Sequence, residues 1–394
     1  MKKNQALLLF AVCAFAFMGM SVGVTTPALA SIMGAFPQVP PSTIVMIATI
    51  PSMFAIVSSL MAGKLVNYVK YRTICAFSTG VMVVTGFAPY FLNDITAIIV
   101  TRCIFGFAIG FVYPLVPALI FAYFTDEEQR ATYSGIGGLV MSMGGIVFQM
   151  AGGMLAATNW RLTFLAYLFG IISFIIILAF MKEPEKIQSL EQDASGNQRS
   201  ASMPSMVYFV SILGMVLFIM EYPMLTSMSS IIEQGKLGTA ATAGIVLTVF
   251  TIGCMVQGAT FGKLYKLLHG YSLSFGFAMF AIGYVSLYWG NSLLFLNIAT
   301  FFVGLGVMTA LGTINMMIAN TVHPTKMPFA LSIFNATLSV GGFLSSFVWV
   351  FLASLMGQTS IKFPFIVSLV VIVIFFVISL VVMGNKKTSA SVAA

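Results

Sequence analysis

The chain has 394 residues, of which 59% are hydrophobic and only 7% are charged, and its mean hydropathy is +1.03. Soluble domains carry about 25% charged residues, so this composition excludes an ordinary soluble protein and predicts one that lies in a lipid bilayer. The formal net charge of +8 comes from basic residues dispersed through short loops, and a nucleic-acid partner is therefore not expected.

Twelve segments are long and apolar enough to cross a bilayer, which takes about 20 residues in a helix. In chain order the twelve predicted spans are 6–31, 43–62, 73–92, 95–123, 132–157, 162–181, 205–232, 240–261, 272–290, 293–320, 329–355 and 363–384. Six spans precede residues 182–204 and six follow them. That stretch holds seven of the 28 (18 + 10) charged residues, so it is predicted to be a polar loop between domains 1–181 and 205–394.

An internal repeat supports the division into halves. Gly63-Lys64-Leu65 follows the second span and Gly262-Lys263-Leu264 follows the eighth, an offset of 262 − 63 = 199 residues in a chain whose half-length is 197. A weaker sequence similarity relates residues 128–131, before the fifth span, to residues 325–330, before the eleventh. The predicted fold is an all-α membrane protein with 12 transmembrane helices in two pseudo-symmetric six-helix bundles.

The loop charges predict the orientation in the membrane. Fourteen lysines and arginines fall in loops on the side of the termini, and only Arg161, Lys236 and Lys362 fall on the other side. By the positive-inside rule both termini and the central loop are expected in the cytoplasm, in a protein of the cytoplasmic (plasma) membrane.

The first span is similar to a secretory signal peptide. Lys2-Lys3 precede an apolar run, and Ala28-Leu29-Ala30 would serve as a small-residue cleavage site. Because the repeat needs six helices in each half, we expect the segment to be retained. Pro27 is then interpreted as a kink in a packed membrane helix.

Several motifs resemble those of the major facilitator superfamily of secondary transporters, over essentially the whole chain. In the loop after the second span, Gly63, Leu65 and Arg72 match the family signature G-x-L-x-D-R-x-G-R-[KR], while Asn67 stands where aspartate is usual. Asn67 carries no charge, so a charge-based latch is not expected at this loop.

The fourth span is closer to the family pattern. Arg102, Gly106, Gly110 and Pro114 reproduce the spacing R-x3-G-x3-G-x3-P of many proton-coupled members. Steps of four place these residues near one helix face, and the glycines allow another helix to approach closely. Residues 159–164 resemble the family's entry to the sixth helix, whereas the antiporter Gly-Pro pair is replaced by Phe148-Gln149.

Two ionisable side chains fall well inside the predicted spans, Arg102 and Glu221. Each costs at least about 2.5 to 3.5 kcal/mol at the bilayer centre, so each is expected to face a cavity, a partner or a substrate. The resemblance implies that the fourth and seventh spans face each other across the cavity. Our hypothesis is that Glu221 carries the coupling proton, with Arg102 bound to Glu221 or to an anionic substrate group. The alternatives are an arginine bonded to backbone carbonyls and a glutamate hydrogen-bonded near Pro223.

The remaining substrate-binding candidates depend on the family's assignment of the first, fourth, seventh and tenth helices to the cavity. They are Phe17, Met20, Ser21, Thr25, Phe105, Ile109, Tyr113, Phe218, Met224, Met228, Met308, Thr313 and Asn315. Such residues suggest a mostly apolar cavity, and 27 methionines fit an adaptable binding surface. The same spacing is also typical of ordinary helix packing.

Other chemistries have little support in the sequence. The four cysteines show no CxxC pairing, and His269 and His323 lie in loops without a carboxylate or cysteine at ligand spacing. No catalytic residue, metal site or cofactor is therefore expected, and the chain is expected to be a monomer. We predict proton-coupled transport of a small lipophilic or amphipathic molecule, with efflux slightly favoured; uptake of a small organic monoanion and a non-transporting sensor are the alternatives.

Overall fold

The computed structural model describes residues 3–66, 68–124, 126–184, 203–322 and 327–392. Fourteen α-helices account for most of the described residues. They are α1 (Lys3–Phe17), α2 (Leu29–Ala35), α3 (Pro41–Leu65), α4 (Tyr71–Phe87), α5 (Ile95–Ile109), α6 (Val112–Tyr123), α7 (Glu127–Ala156), α8 (Phe169–Phe180), α9 (Ser205–Gln234), α10 (Ala240–Leu268), α11 (Ser272–Trp289), α12 (Leu293–Thr321), α13 (Met327–Leu355) and α14 (Phe363–Val392).

Eleven helical stretches among the described residues are long and apolar enough to cross a membrane. One of them, Ala240–Trp289, is 50 residues long and contains both α10 and α11. A short 3₁₀ turn, His269–Tyr271, joins these two helices, and His269 has a positive φ of 48°. The chain is therefore a multi-pass membrane protein built from helices.

The first predicted span is not one continuous helix. After α1 the chain follows 3₁₀ geometry over Met18–Val24, where Met20 has φ −107° and ψ 15°, and again over Thr26–Ala28. The kink was predicted at Pro27, but the departure from α-geometry begins nine residues earlier. Proline lacks the N–H that would bond the carbonyl four residues before it, and Thr26 Oγ1 donates to that carbonyl, Gly23 O, at 2.8 Å.

Two further predictions about boundaries were wrong. Gly63-Lys64-Leu65 forms the end of α3 and does not begin a loop, and Gly262-Lys263-Leu264 lies inside α10, which continues to Leu268. Lysine is a good helix former and extends its ammonium to water, so it does not stop a helix at the membrane surface. The second predicted loop, between the eighth and ninth spans, is reduced to the turn at His269–Tyr271.

Buried apolar side chains form two clusters. The first draws on residues 11–181 with Ala240, and the second on residues 207–372. We call the described residues up to 184 the first group and the described residues from 203 onward the second group. Residues 185–202 of the predicted central loop lie outside the described part of the chain.

The two ends of the helices are marked by contacts between loops. At the end that we call the terminal end, the backbone N–H of Tyr71 donates to Glu183 Oε1 at 3.0 Å. At the end that we call the remote end, Arg161 donates to Asn93 Oδ1 and Lys362 Nζ donates to Asn291 Oδ1 at 2.9 Å. These contacts mark the ends of the helices that adjoin them.

The two groups pack against each other through α7 with α10 and through α3 with α13. Glycines allow the first of these crossings, because a Cβ at Gly153 would lie 2.6 Å from Ala240 O and 3.0 Å from Gly244 Cα. Gln149 Oε1 accepts a hydrogen bond from Thr251 Oγ1 at 3.0 Å in the same crossing. The crossing lies in the remote half of both helices.

Candidate functional site

The seventh predicted span, α9, is disturbed near its middle by Pro223. Proline has no N–H to donate to the carbonyl of Ile219, four residues earlier. Trp349 Nε1 donates to Ile219 O at 2.9 Å, and Ser345 Oγ donates to the same oxygen at 3.3 Å. Both donors lie on α13, so the break in α9 is stabilised by a neighbouring helix.

The next two carbonyls of α9 are also bonded from outside the helix. Tyr284 on α11 donates its hydroxyl to Met220 O and, at 3.4 Å, to Glu221 O. Ser368 Oγ on α14 donates to Met220 O at 3.4 Å. Three helices thus hold the backbone on either side of Glu221 in place.

Glu221 itself is buried, with 5% of its surface exposed, and its Oε2 has no hydrogen-bond partner among the described residues. Among the described residues, titratable side chains close enough to interact with its charge include Tyr222, Cys254 and Tyr284, none of which is basic. A buried carboxyl group without a cation or a full set of donors is more stable protonated than charged.

The residue after Glu221 reaches the first group. Tyr222 OH and Ser52 Oγ on α3 are 3.3 Å apart and share a hydrogen bond. The Tyr222 ring also fills the space over Gly342, where a Cβ would lie 2.6 Å from the ring. Glu221 is therefore one residue from a contact between the two groups, near the middle of the helices.

Tyr113 of the first group lies close to that contact. Its hydroxyl donates to Gly19 O at 2.8 Å, and it is within electrostatic range of Tyr222. Yet 46% of the Tyr113 side chain is exposed. Since Tyr113 is held between the first span and the second group, this exposure indicates a space between the groups.

Arg102, on α5, is almost fully buried in the first group, with 1% of its surface exposed. Its Nη1 donates to Tyr167 OH at 2.9 Å, and its Nη2 donates to Thr85 O at 2.6 Å and to Gly86 O at 3.2 Å. Pro89 lacks the N–H that would otherwise bond Thr85 O. Rings of Phe105, Phe164 and Tyr167 surround the guanidinium at 4.8 to 5.6 Å.

The structure does not bring Arg102 and Glu221 together. Both Nη atoms of Arg102 are occupied inside the first group, whereas Glu221 faces neighbours of the second group. In this conformation Arg102 has the alternative arrangement, bonded to backbone carbonyls and Tyr167, and its pairing with Glu221 or with an anionic substrate group stays a prediction. Its Nε alone has no partner among the described residues.

The other substrate-binding candidates divide by exposure. Met308 is 39% exposed and Asn315 is exposed. Phe17, Met20 and Phe218 are half-buried, and the Phe218 ring lies 6.0 Å from the Tyr222 ring. The remaining candidates are buried by packing or bonded to their own helix: Ser21, Thr25, Phe105, Ile109, Met224, Met228 and Thr313.

The residues of the predicted conformational motifs lie on α3 to α6. A Cβ at Gly106 would lie 2.4 Å from Pro51 O, and one at Gly110 would lie 2.4 Å from Ala55 O, so the helix that approaches these glycines is α3. Pro114 lies in the first turn of α6, and the carbonyl that it leaves free, Gly110 O, accepts from Ser59 Oγ at 2.7 Å.

The loop signature is only partly described. Gly63 lies in the last turn of α3, and Asn67 lies outside the described residues. Arg72 Nη2 donates to Leu178 O at 2.5 Å, and the backbone N–H of Arg72 donates to Glu183 Oε2 at 3.5 Å. The carboxylate at the start of α4 thus comes from the end of the sixth span.

Sequence reasoning missed Ser52, Tyr222, Tyr284 and Trp349. The position of Pro223 predicts which carbonyl lacks its helical partner, but it does not predict which distant side chain supplies the donor. Among the described residues, no group of three His, Cys, Asp or Glu side chains is placed to hold a metal ion.

Comparisons with known proteins agree on one fold. The family model described as Major Facilitator Superfamily matches residues 9–266. A point mutant of the nucleoside transporter NupG is similar in structure, with a TM-score of 0.75 and 12% identity over 94% of this chain and 99% of that one. A bacterial homologue of the human lysosomal transporter Spinster, inward-facing and occupied, has a TM-score of 0.70 and 14% identity over 96% of both chains. No curated protein matches in sequence.

Proposed function

The chain belongs to the major facilitator superfamily, and from that premise we propose that it is a secondary active transporter that works by alternating access. The proposal has 12 membrane helices in two six-helix bundles, 1–181 and 205–394, joined by a cytoplasmic loop at 182–204. It is supported by the separate apolar clusters of the two groups and by the presence of two α-helices in the 50-residue stretch Ala240–Trp289.

Three described contacts between the groups lie in the remote half of the molecule. Ser31 Oγ donates to Glu233 Oε1 at 3.1 Å, the N–H of Ala30 donates to Ser229 Oγ at 3.1 Å, and Thr49 and Ser346 share a bond of 3.0 Å. Tyr113, on the terminal side of these contacts, is half-exposed. Together these features favour a conformation that is closed at the remote end and open toward the termini. With the termini in the cytoplasm, this is an inward-facing state, the state given for the Spinster homologue.

The observation that carries the proposed coupling is the buried Oε2 of Glu221, which has no hydrogen-bond partner in the described part of the chain. Glu221 is 5% exposed and adjoins Tyr222, which bonds Ser52 of the other group. Protonation of Glu221 stabilises its burial in this conformation, and loss of the proton favours one in which the carboxylate reaches water or a donor. In this proposal Glu221 binds the coupling proton and Arg102 stabilises the first bundle.

We propose a lipophilic or amphipathic substrate of small size, bound between the bundles near Tyr113, Phe17, Met20, Phe218 and Met308. The side chains are apolar or aromatic with few polar anchors, as in sites for such ligands. Both Nη atoms of Arg102 already donate, to Tyr167 and to two backbone carbonyls. Arg102 is therefore not available to bind a carboxylate, which favours a lipophilic substrate over an organic anion. We retain efflux as the favoured direction.

The test is proton movement in proteoliposomes that contain the pH dye pyranine. A panel of lipophilic and amphipathic compounds is added under an imposed pH gradient. At least one compound is expected to cause dye-reported proton flux with the wild type. Glu221→Gln, which keeps the size of the side chain but holds no exchangeable charge, is expected to lower that flux at least about tenfold.

Glu233→Gln on the same helix is the matched control, because glutamine still accepts the bond from Ser31. It is expected to retain the proton flux. Compound-dependent flux that is equal in wild type and Glu221→Gln would contradict the coupling role. No flux with any compound, together with unchanged conformations on ligand addition, would favour the non-transporting alternative.

A further inference from the structure

A crevice of about 570 Å³ lies on the outer side of the first group, between α1, α7 and α8. Its lining is apolar except for Cys13 and Ser173, and it includes Phe10 and Phe17 of α1, Val147 of α7 and Ile172 of α8. All of its lining residues precede residue 177 and belong to the first group. Of these residues, Phe17 at the inner end of the crevice is also one of those placed near the proposed substrate.

The crevice opens toward the hydrocarbon of the bilayer. Its rim residues Ile172, Phe10 and Val147 are 61%, 50% and 38% exposed. On the opposite face of α1, Ala11 and Phe15 are fully buried in the first apolar cluster. Because α1 and α8 pack against other elements of the first group, the exposed apolar side chains on this face meet lipid.

The length of the crevice matches one leaflet. It follows α1 from Ala6 to Phe17, 11 residues or about 16 Å at 1.5 Å per residue. The hydrocarbon core of a bilayer is about 30 Å thick, so each leaflet contributes about 15 Å. Phe17 is the last residue of α1, and the crevice ends where the chain leaves α-geometry.

We propose that this crevice binds one acyl chain of a phospholipid from the leaflet on the side of the termini. The hydrophobic effect does not favour the crevice over the bulk bilayer, because the acyl chain is surrounded by hydrocarbon in both places. The crevice is favoured because it contacts the acyl chain on three sides. The floor is made of small side chains, Cys13, Ala14 and Ser173, beneath larger walls. The terminal methyl of the chain lies beside Phe17, next to the 3₁₀ segment Met18–Val24.

The experiment uses the full chain in nanodiscs of phosphatidylethanolamine and phosphatidylglycerol that contain a trace of phospholipid with a diazirine on its acyl chain. After irradiation, labelled peptides are mapped by mass spectrometry. We expect residues 6–17 and 169–176 to be labelled several-fold more per residue than residues 373–381 of α14, whose exposed Val377 and Ile378 represent an ordinary lipid-facing surface.

Cys13→Phe places a ring in the crevice and is expected to reduce that labelling several-fold. The matched control is Cys103→Phe on α5, the same substitution outside the crevice, which is expected to leave it unchanged. Ala6→Phe, at the mouth, gives a second blocking variant if Cys13→Phe does not fold. Equal labelling of α1 and α14, or labelling unaffected by a folded blocking variant, would overturn the proposal. Labelling by a lipophilic probe without a headgroup, but not by the phospholipid, would also overturn it.

Discussion

At the scale of single residues, the molecule is stabilised by donors placed against carbonyls that prolines leave free. Pro89 leaves Thr85 O to Arg102, Pro114 leaves Gly110 O to Ser59, and Pro223 leaves Ile219 O to Trp349. In hydrocarbon an unsatisfied carbonyl costs several kcal/mol, so each donor fixes the helix to its neighbour.

The role of Arg102 can be tested with a double-mutant cycle. Arg102→Met is expected to lower the free energy of unfolding by about 2 to 3 kcal/mol, because it removes charge-assisted hydrogen bonds to two carbonyls and Tyr167. In a Pro89→Ala background the loss is expected to be at least about 1 kcal/mol smaller, since the new N–H bonds Thr85 O. Unfolding in detergent with increasing sodium dodecyl sulfate gives the free energies.

Lys362→Met, at the remote end of the second group, is the control and is expected to show no coupling to Pro89→Ala. Strictly additive losses for Arg102→Met and Pro89→Ala would show that Arg102 does not serve the carbonyl that Pro89 leaves free.

The sequence singles out Arg102 and Glu221 because charges are costly in a membrane, but it cannot give their partners. Arg102 finds Thr85 only because α4 and α5 are neighbours that run in opposite directions, and the resemblance to proton-coupled transporters suggested Glu221 as the partner instead. Glu221 differs in that no donor among the described residues reaches its Oε2. The contrast between a satisfied charge and an unsatisfied carboxyl is visible only in the packed structure.

At the scale of elements, close helix crossings depend on glycine. Gly153 and Gly244 allow α7 and α10 to touch at the remote end, and Gly106 and Gly110 allow α3 to approach α5. The positions of most helices follow from hydrophobic length alone. The breaks inside the first and fourth spans cannot be derived from hydrophobic length. They depend on which neighbouring side chain forms a hydrogen bond with the backbone where the helix is interrupted.

A larger residue at the remote crossing is expected to prevent its closure. In Gly153→Leu even the Cβ would lie 2.6 Å from Ala240 O, so α7 and α10 cannot approach. Gly138→Leu on the same helix is the control, because a Cβ there has no neighbour within 4 Å.

The measurement is the reaction of a cysteine at Ser229 with a membrane-impermeant maleimide, with the four native cysteines replaced by alanine. Ser229 is fully buried in the remote contact, so little reaction is expected in the parent or with Gly138→Leu. Gly153→Leu is expected to increase the reaction strongly. A remote end that stays protected with Gly153→Leu would mean that this crossing does not hold it closed.

At the scale of the whole molecule, composition and hydrophobic segment length predicted a helical membrane protein, and the resemblance of the motifs at residues 63–72 and 102–114 indicated the correct family. The conformation could not be predicted, since both states of an alternating-access protein satisfy the same hydrophobic pattern. In our account a neutral Glu221 stabilises closure of the remote end, and Tyr222 connects Glu221 to Ser52 of the other group. Raising the pH then destabilises closure, because a carboxylate at Glu221 would be buried with no donor from the described residues on its Oε2.

Double electron–electron resonance between spin labels at Gln38 and Gln234 tests this coupling most directly. Both side chains are exposed; Gln234 follows Glu233 directly, and Gln38 lies in the turn after α2, the helix that carries Ser31. We expect a short distance at low pH, a growing long-distance population in the wild type as pH rises, and a short distance at every pH in Glu221→Gln. A distribution that ignores pH in the wild type, or that shifts equally in Glu221→Gln, would contradict the account.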